Sequence, residues 1–444
     1  MDKSLLVVPC FDNPYICATE KEKNVVLSIK VQPEEGLEGG TTTSTGIDFC
    51  IVLDTSGSMT ERISDDKTSE RKRDLAIKAT KNLYDFIRPN DTVSMIFYDS
   101  FSRTILDHEK NISRAIFDEK VEESRCYSGG TNITNALMAA TDLMTKKLSP
   151  NMKKVIFLTD GKTVDDTEAD AIKAAILLAE KKISITTLGI GKDFNFNFIL
   201  ELVKPCKGTS DSIEKEEEAI QVFEKTLKRS QNIVLNDVEL ELNVSNEVRV
   251  NEYFRSVPQT TYMGKVPLKS DRKFVIRLDD IEKNRYYEYL FEITIPTPNK
   301  EYEGKFRVAK SVLKYTVVST NQPVEKSCDI LIDITKDEEL AEKEYSTIKT
   351  TYKRCIIQKL DNQLNDFLAN KDHSNVIRIL KELISKTQEI DENERSDYYK
   401  SMYEEYITTN QISQQKLNSA TKSSTIINGD GLINENQQEP PDIF

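Results

Sequence analysis

IDFCIVLDTSGS, residues 47–58, couples an almost wholly apolar run, Ile47–Leu53, to a polar loop that opens on Asp54. A run this short, rich in β-branched residues and without polar alternation, reads as a strand buried on both faces. Working outward, Leu75, Ala79, Leu83 and Phe86–Ile87 keep helical spacing, Val93–Tyr98 reads as a second strand, and Arg103–Leu106 as a short edge partner. A helix through Ala136–Met144, a strand at Val155–Leu158, a helix at Ala169–Ala179, a strand at Ile183–Leu188 and a helix at Phe196–Val203 follow. Strand-helix alternation of this kind predicts a doubly wound, Rossmann-like α/β sheet over residues 46–229. Ligands of such sheets sit beyond the carboxyl ends of the strands, so the segments that follow the strands are where chemistry is expected.

Three segments stand there. Ile47–Leu53 runs into Asp54-Thr55-Ser56-Gly57-Ser58, the helix at Ala136 is preceded by Gly129-Gly130-Thr131-Asn132, and Val155–Leu158 runs into Thr159-Asp160-Gly161. Asp54, Ser56, Ser58, Thr131 and Asp160 together offer two carboxylates and three hydroxyls, with no thiolate or imidazole. Hard oxygen donors carrying little negative charge suit Mg²⁺, which takes octahedral geometry at about 2.0–2.1 Å and keeps several waters; Mn²⁺ and Ca²⁺ are the alternatives. Gly57 is expected to let the first loop turn sharply, and Gly129-Gly130 to let the second approach the ion. An ion so weakly neutralised stays electrophilic, and the carboxylate of a partner's Asp or Glu would complete its shell. Singly, each segment is an ordinary turn, loop or cap. Their occurrence in order, each at the end of the right element, carries the reading.

DTSGS, GGTN and LTDG resemble the metal-ion-dependent adhesion site of von Willebrand factor A domains. The likeness spans about residues 46–229. It implies Ser56, Ser58 and Thr131 as direct ligands, Asp54 and Asp160 as ligands directly or through water, and a non-enzymatic, metal-dependent protein-binding module or scaffold. It also implies that ligand exchange is coupled to movement of the last helix, here Glu217–Arg229. The wider order of elements is similar to the intracellular A-domain proteins related to plant RING ubiquitin ligases, and more loosely to inter-alpha-trypsin inhibitor heavy chains. An adaptor subunit of a ubiquitin-ligase-type complex is therefore an alternative, although no RING cysteine-histidine array occurs in the sequence. A Mg²⁺-dependent hydrolase using Asp54 as nucleophile is disfavoured, because Ser56 stands where such an enzyme would place its second carboxylate. One departure is Met59–Glu70 (MTERISDDKTSE), longer and more charged than the family's turn and expected to rim the metal face. Nearby, Asp99 is expected to cap, and Asp165-Asp166 to start a helix under its dipole.

From Ile233 to Ile334 the pattern changes to a period of two, in Val238–Leu242, Phe274–Leu278, Tyr289–Ile295, Val312–Val318 and Cys328–Ile334. This predicts an antiparallel β-sandwich over 230–335, joined by a strand at 24–31 from the N-terminal segment 1–45, so that the α/β domain is an insertion. Gly36–Thr45 reads as a linker. Helical spacing over 336–418 predicts a bundle, its third helix opened by Asp391 as N-cap with Glu394 as reciprocal partner. The polar, turn-rich stretch 419–444 predicts a disordered tail.

Composition narrows the partner. The 444 residues carry a net charge of -13, with a pI near 5.1 and a mean hydropathy of -0.50, which disfavours nucleic acid. No run approaches the roughly 20 apolar residues of a membrane span, and Met1–Pro9 lacks a signal-peptide core. Seven scattered cysteines without a C-x-x-C pair argue against zinc and fit a cytoplasmic protein. A glycan on the sequon Asn132-Ile133-Thr134 would obstruct Thr131, which points the same way. Oligomeric state is not fixed by the sequence.

Overall fold

A computed structural model describes residues 5–34, 46–63, 68–161, 163–191, 194–206, 208–213, 218, 221–222, 225, 228–229, 232–266, 268, 270–426 and 431–432. Two compact units result: Gly39–Ile233, and Met1–Glu38 together with Val234–Phe444. The chain thus leaves the second unit after its first strands and returns to it at residue 234.

In that second unit, strands β1 (Leu5–Phe11), β2 (Tyr15–Cys17) and β3 (Glu22–Pro33) precede the excursion. In the α/β unit come β4 (Ile47–Asp54), β5 (Thr92–Tyr98), β6 (Ser102–Lys110), β7 (Met152–Thr159), β8 (Ile183–Ile190) and β9 (Thr209–Ile213). Helices described in full there are α1 (Lys72–Leu83), α2 (Arg114–Glu122), α3 (Ile133–Lys146), α4 (Glu168–Glu180) and α5 (Phe196–Val203). The sheet order is β6-β5-β4-β7-β8-β9, with only β6 antiparallel to its neighbour. After β5 and β6 the chain crosses back to lay β7 on the other side of β4. The ends of β4 and β7 therefore flank the switch point where doubly wound sheets bind ligands.

β4 is apolar throughout because both of its faces are covered. Ile47, Phe49, Ile51 and Leu53 pack with Leu75, Ala79 and Leu83 of α1 and Phe117 and Val121 of α2. Cys50 and Val52 pack on the other side with Ile133, Ala136 and Ala140 of α3 and Ala174 and Leu178 of α4. Cys50 is a core residue, and burial pushes its thiol up to about 12. The sequence reading passed over α2 and β9. β9, Thr-Ser-Asp-Ser-Ile, has no hydrophobic pattern and owes its place to parallel pairing with β8.

The second unit continues with β10 (Ile233–Val244), β11 (Arg249–Val257), β12 (Thr261–Lys265), β13 (Lys273–Arg277), β14 (Ile281–Glu282), β15 (Tyr287–Pro296), β16 (Gly304–Val317) and β17 (Gln322–Thr335). One sheet runs β1-β3-β15-β11-β12 and the other β13-β10-β16-β17-β2. The parallel pairing of β17 with β2 departs from the expected antiparallel pattern. Alternation along β3 sends Val25, Leu27, Ile29 and Val31 into the core between the sheets. Val26 faces the other way, toward Ile348 and Cys355 of the helix Ser346–Ala369. That helix is fixed to the sheet by Tyr352 donating to Glu292 (2.6 Å) and Lys359 donating to Glu252 (2.6 Å).

The helices His373–Gln388, Asn393–Thr409 and Gln414–Ile426 complete the bundle. Two expectations are corrected here. Asp391 takes a left-handed φ of 59°, and Glu392 is the residue before the helix, without a side-chain cap. The predicted tail, 419–444, begins inside a helix, with Ala420, Thr421, Ser424 and Thr425 buried. Within the helix, Ser424 donates to the Thr421 carbonyl and Thr425 to that of Lys422. The linker Gly36–Thr45, most of Glu217–Arg229 and of the run Glu214–Glu218, and 433–444 lie outside the described residues.

Candidate metal centre

Backbone hydrogen bonds stitch the three loops together at the switch point. The Gly57 N–H donates to the Gly129 carbonyl (2.9 Å), and the Val164 and Asp165 N–H groups donate to the Thr131 carbonyl (3.1 and 3.0 Å). Thr55 and Asn132 donate to the carbonyls of Tyr98 and Asp99, anchoring the first two loops to the end of β5 (2.8 and 2.9 Å). Asp54, Ser56, Thr131 and Asp160 are thereby gathered, all buried, with the Ser58 hydroxyl 3.0 Å from that of Ser56.

Asp54 is held on every side. Its Oδ1 accepts the Ser56 N–H (2.8 Å), and its Oδ2 accepts the hydroxyls of Tyr98 (3.0 Å) and Thr159 (3.1 Å). Burial, and then the negative charge of Asp160, push its carboxyl up to about 6 against these hydrogen bonds. Burial and the charge of Asp54 likewise push the Tyr98 phenol well up.

Asp160 is held on one side only. Its Oδ2 receives the Lys72 ammonium at 3.3 Å, while its Oδ1 is buried without a hydrogen-bond partner among the described residues. A buried carboxylate oxygen left bare costs on the order of 1–3 kcal/mol or more. A cation among these oxygens would satisfy it, so the residues present fit a divalent ion. Among the described residues no three His, Cys, Asp or Glu side chains are grouped so that they could hold a metal ion. An ion here would therefore have to draw on hydroxyls as well as the two aspartates.

Several neighbours differ from expectation. Gly57 opens a right-handed 3-10 turn, Gly57–Thr60, and a Cβ there would lie 3.5 Å from the Gly129 carbonyl, so the loop does not depend on glycine at this position. Gly130 is the demanding one, since a Cβ would fall 2.1 Å from Oδ2 of Asp165. Asp166 does not start its own helix. It accepts the N–H (2.7 Å) and hydroxyl of Thr134 in the first turn of α3, while α4 is capped by Thr167. Asp99 closes a turn, accepting the Phe101 N–H (2.9 Å) and the Arg103 guanidinium (2.9 Å). Both polar side chains of the sequon are engaged, as Asn132 caps α3 through Asn135 N–H. Phe101 and Val164, each 68% exposed, are apolar side chains on loops bonded to the Gly129–Asn132 segment.

The sequence reading missed Tyr98, Thr159 and Lys72. Tyr98 was within reach, because parallel pairing sets it opposite Asp54. Lys72, within the charged run Arg71-Lys72-Arg73, gave no such signal.

Residues 48–224 match the family model for the von Willebrand factor type A domain, and this part of the chain is such a domain. An uncharacterized protein from Synechocystis is 23% identical over 204 residues, 46% of either chain. Inter-alpha-trypsin inhibitor heavy chain H2 from Sus scrofa is 24% identical over 203 residues, 43% of this chain and 20% of the relative. The chain thus spans less than half the length of these relatives. Among solved structures, von Willebrand factor type A from Catenulispora acidiphila superposes with a TM-score of 0.74 at 17% identity, covering 95% of this chain and 96% of that one. The ArnB paralog VWA2 from Sulfolobus acidocaldarius gives 0.55 at 16% identity, covering 95% and 98%. At these identities the likeness is one of fold, and it extends beyond the α/β domain.

Proposed function

We propose that this protein is a non-enzymatic, protein-binding scaffold whose Asp54–Thr131–Asp160 crevice holds one divalent cation, Mg²⁺ in the cell, to grip an Asp or Glu carboxylate of a partner protein. The buried Oδ1 of Asp160, unpartnered among the described residues and beside a second buried aspartate and three hydroxyls, supports the reading most directly. Asp54, Ser56, Ser58, Thr131 and Asp160 would hold the ion. Bound there, it supplies an electrophilic position that an incoming carboxylate can fill. Tyr98 and Thr159 fix the orientation of Asp54, and the Thr131 carbonyl ties the second and third loops. Seven free cysteines suit a reducing compartment such as the cytoplasm. Among the described residues no helix is long and apolar enough to cross a membrane.

Titration with Mn²⁺ followed by electron paramagnetic resonance tests the ion. One displaceable site is expected in the wild type, and none in Asp54→Ala or Thr131→Ala. A pull-down in Mg²⁺ or chelator, with wild type and both variants, then tests the grip. Identical binding lists under every condition would overturn it.

A further inference from the structure

Lys72 is the unusual member of this neighbourhood. Its side chain is 1% exposed, with the ammonium 3.3 Å from Asp160 and 3.2 Å from Glu61, whose carboxylate is 56% exposed. The lysine stem lies against Gly191 at the end of β8, where a Cβ would come 2.9 Å from Cε and crowd it. Its backbone is equally fixed. The Lys72 N–H donates to the Glu61 carbonyl (3.0 Å), the Ile63 N–H to the Glu70 carbonyl (3.0 Å), and Arg62 pairs with Arg71 as an antiparallel bridge. Met59 and Ile63 are buried in the core beneath. The described part of the long loop Met59–Glu70 is therefore a pinned hairpin stem, and its outcome is a lysine delivered to the back of Asp160. Arg73, next in sequence, is half-buried and reaches the first loop, donating to the Thr55 carbonyl (3.4 Å) and to the Tyr127 carbonyl (3.0 Å).

We infer that Lys72 is a resident counter-cation of the metal centre, weakening capture of a divalent ion alone and leaving the loaded centre with positive charge that draws in a carboxylate. The inference rests on the metal-dependent grip proposed above. Its basis is charge arithmetic over buried groups: Asp54 and Asp160 against Lys72 leave one net negative charge. A divalent ion turns that to one positive, and a partner's carboxylate brings the assembly to zero. Without Lys72 the fully buried charges of the loaded centre would already sum to zero, and the partner's carboxylate would gain less from it. Buried charges interact at low effective dielectric, so one ammonium a few ångströms away shifts both equilibria strongly. Glu61 is mostly solvated and Arg73 only half-buried, so both enter the sum more weakly than the three buried groups. Ion and carboxylate consequently bind with positive coupling, each raising the other's affinity by the same factor.

The test uses the full chain and three variants. Lys72→Met keeps the aliphatic stem over Gly191 and removes the charge, Lys72→Gln repeats the removal should the first fold poorly, and Lys72→Arg keeps the charge. Mn²⁺ affinity is read by electron paramagnetic resonance without carboxylate, and acetate affinity is then read calorimetrically on the Mn²⁺-loaded protein. Neutral variants are expected to bind Mn²⁺ at least about tenfold more tightly and acetate at least several-fold more weakly, with Lys72→Arg near wild type. Unchanged or weaker Mn²⁺ binding in folded neutral variants overturns the role of Lys72 while leaving the metal centre standing. Absence of Mn²⁺ binding by the wild type itself overturns the metal centre, and the inference with it.

Discussion

Lys72 Nζ stands 3.3 Å from Oδ2 of Asp160 with both side chains closed to solvent, whereas Asp54, equally buried, is held by two hydroxyls and a backbone N–H. The two aspartates of the centre therefore bear opposite loads when no ion is bound. Asp160→Asn strands a buried ammonium with only the half-exposed Glu61 for company, and should lower the unfolding free energy by about 3 kcal/mol. Asp54→Asn acts differently, because it removes a charge while taking an acceptor oxygen from the donors around it. Burial and the charge of Asp160 raise the Asp54 carboxyl, so the folded protein binds that proton more tightly than the unfolded chain, and ionising it costs stability as pH rises. The difference in unfolding free energy between Asp54→Asn and wild type should therefore move in the variant's favour from about pH 4 to pH 7. Urea unfolding in chelator across this range checks both variants, and a flat difference for Asp54→Asn would reject the assignment.

The glycines of the centre make a second contrast. A Cβ on Gly130 would meet the whole carboxyl of Asp165, with all three atoms within 2.6 Å, while one on Gly57 finds nothing nearer than 3.5 Å. Gly130→Ala should displace Asp165, whose N–H helps hold the Thr131 carbonyl, and weaken Mn²⁺ binding several-fold. Gly57→Ala should stay within about twofold of wild type and about 0.5 kcal/mol of its stability. Equal losses in both would show that the loops do not depend on this packing.

How much of this was legible in the sequence follows from which forces act locally. The run Ile47–Leu53 announced a strand covered on both faces, and the switch-point rule then located Asp54, Thr131 and Asp160 without any contact being known. Lys72 was hidden because its partner is 88 residues away and nothing in a charged run says which member turns inward. β9 was hidden because Thr-Ser-Asp-Ser-Ile is recruited by a neighbouring strand rather than by its own pattern. The part of the last helix from Ser419 to Ile426 is read as tail because composition reports average solvation, and a polar helix whose hydroxyls find hydrogen bonds can still be buried.

That C-terminal helix supplies a direct prediction. The Thr425 carbonyl accepts the Thr260 N–H (2.8 Å), and the Gly431 carbonyl accepts the Tyr286 N–H (2.9 Å), both on the sandwich. Ending the chain after Asn418 removes these partners together with buried Ala420, Thr421, Ser424 and Thr425. The loss should amount to roughly 2–4 kcal/mol, from unpaired backbone groups and exposed core. Calorimetry on the truncated chain checks it, and an unchanged transition would mean that the segment contributes nothing to the fold.

The same helix also takes part in a pH-dependent network. Asp361, on Ser346–Ala369, is wholly buried and receives the Tyr399 hydroxyl at 2.8 Å from each carboxylate oxygen. Burial pushes its carboxyl up to about 6, and hydrogen bonds from Ser424 and Tyr399, with the charge of Arg395, hold it from rising further. In the unfolded chain an aspartate titrates near 3.9. Between about pH 4 and pH 6 the folded protein thus binds more protons than the unfolded one, and this group's contribution to stability falls as pH rises through that window. Above it the cost is roughly 3 kcal/mol, at about 1.4 kcal/mol per pKa unit. Asp361→Asn keeps the shape and removes the charge. The difference in unfolding free energy between variant and wild type should therefore move in the variant's favour from pH 4 to pH 7, then level off. Tyr399→Phe should act in the opposite sense, because it withdraws a donor from the ionised carboxylate and would enlarge the loss of stability at pH 7. A flat difference for Asp361→Asn across the window would mean that Asp361 ionises as readily folded as unfolded, and that the Tyr399 and Ser424 hydroxyls fully offset its burial.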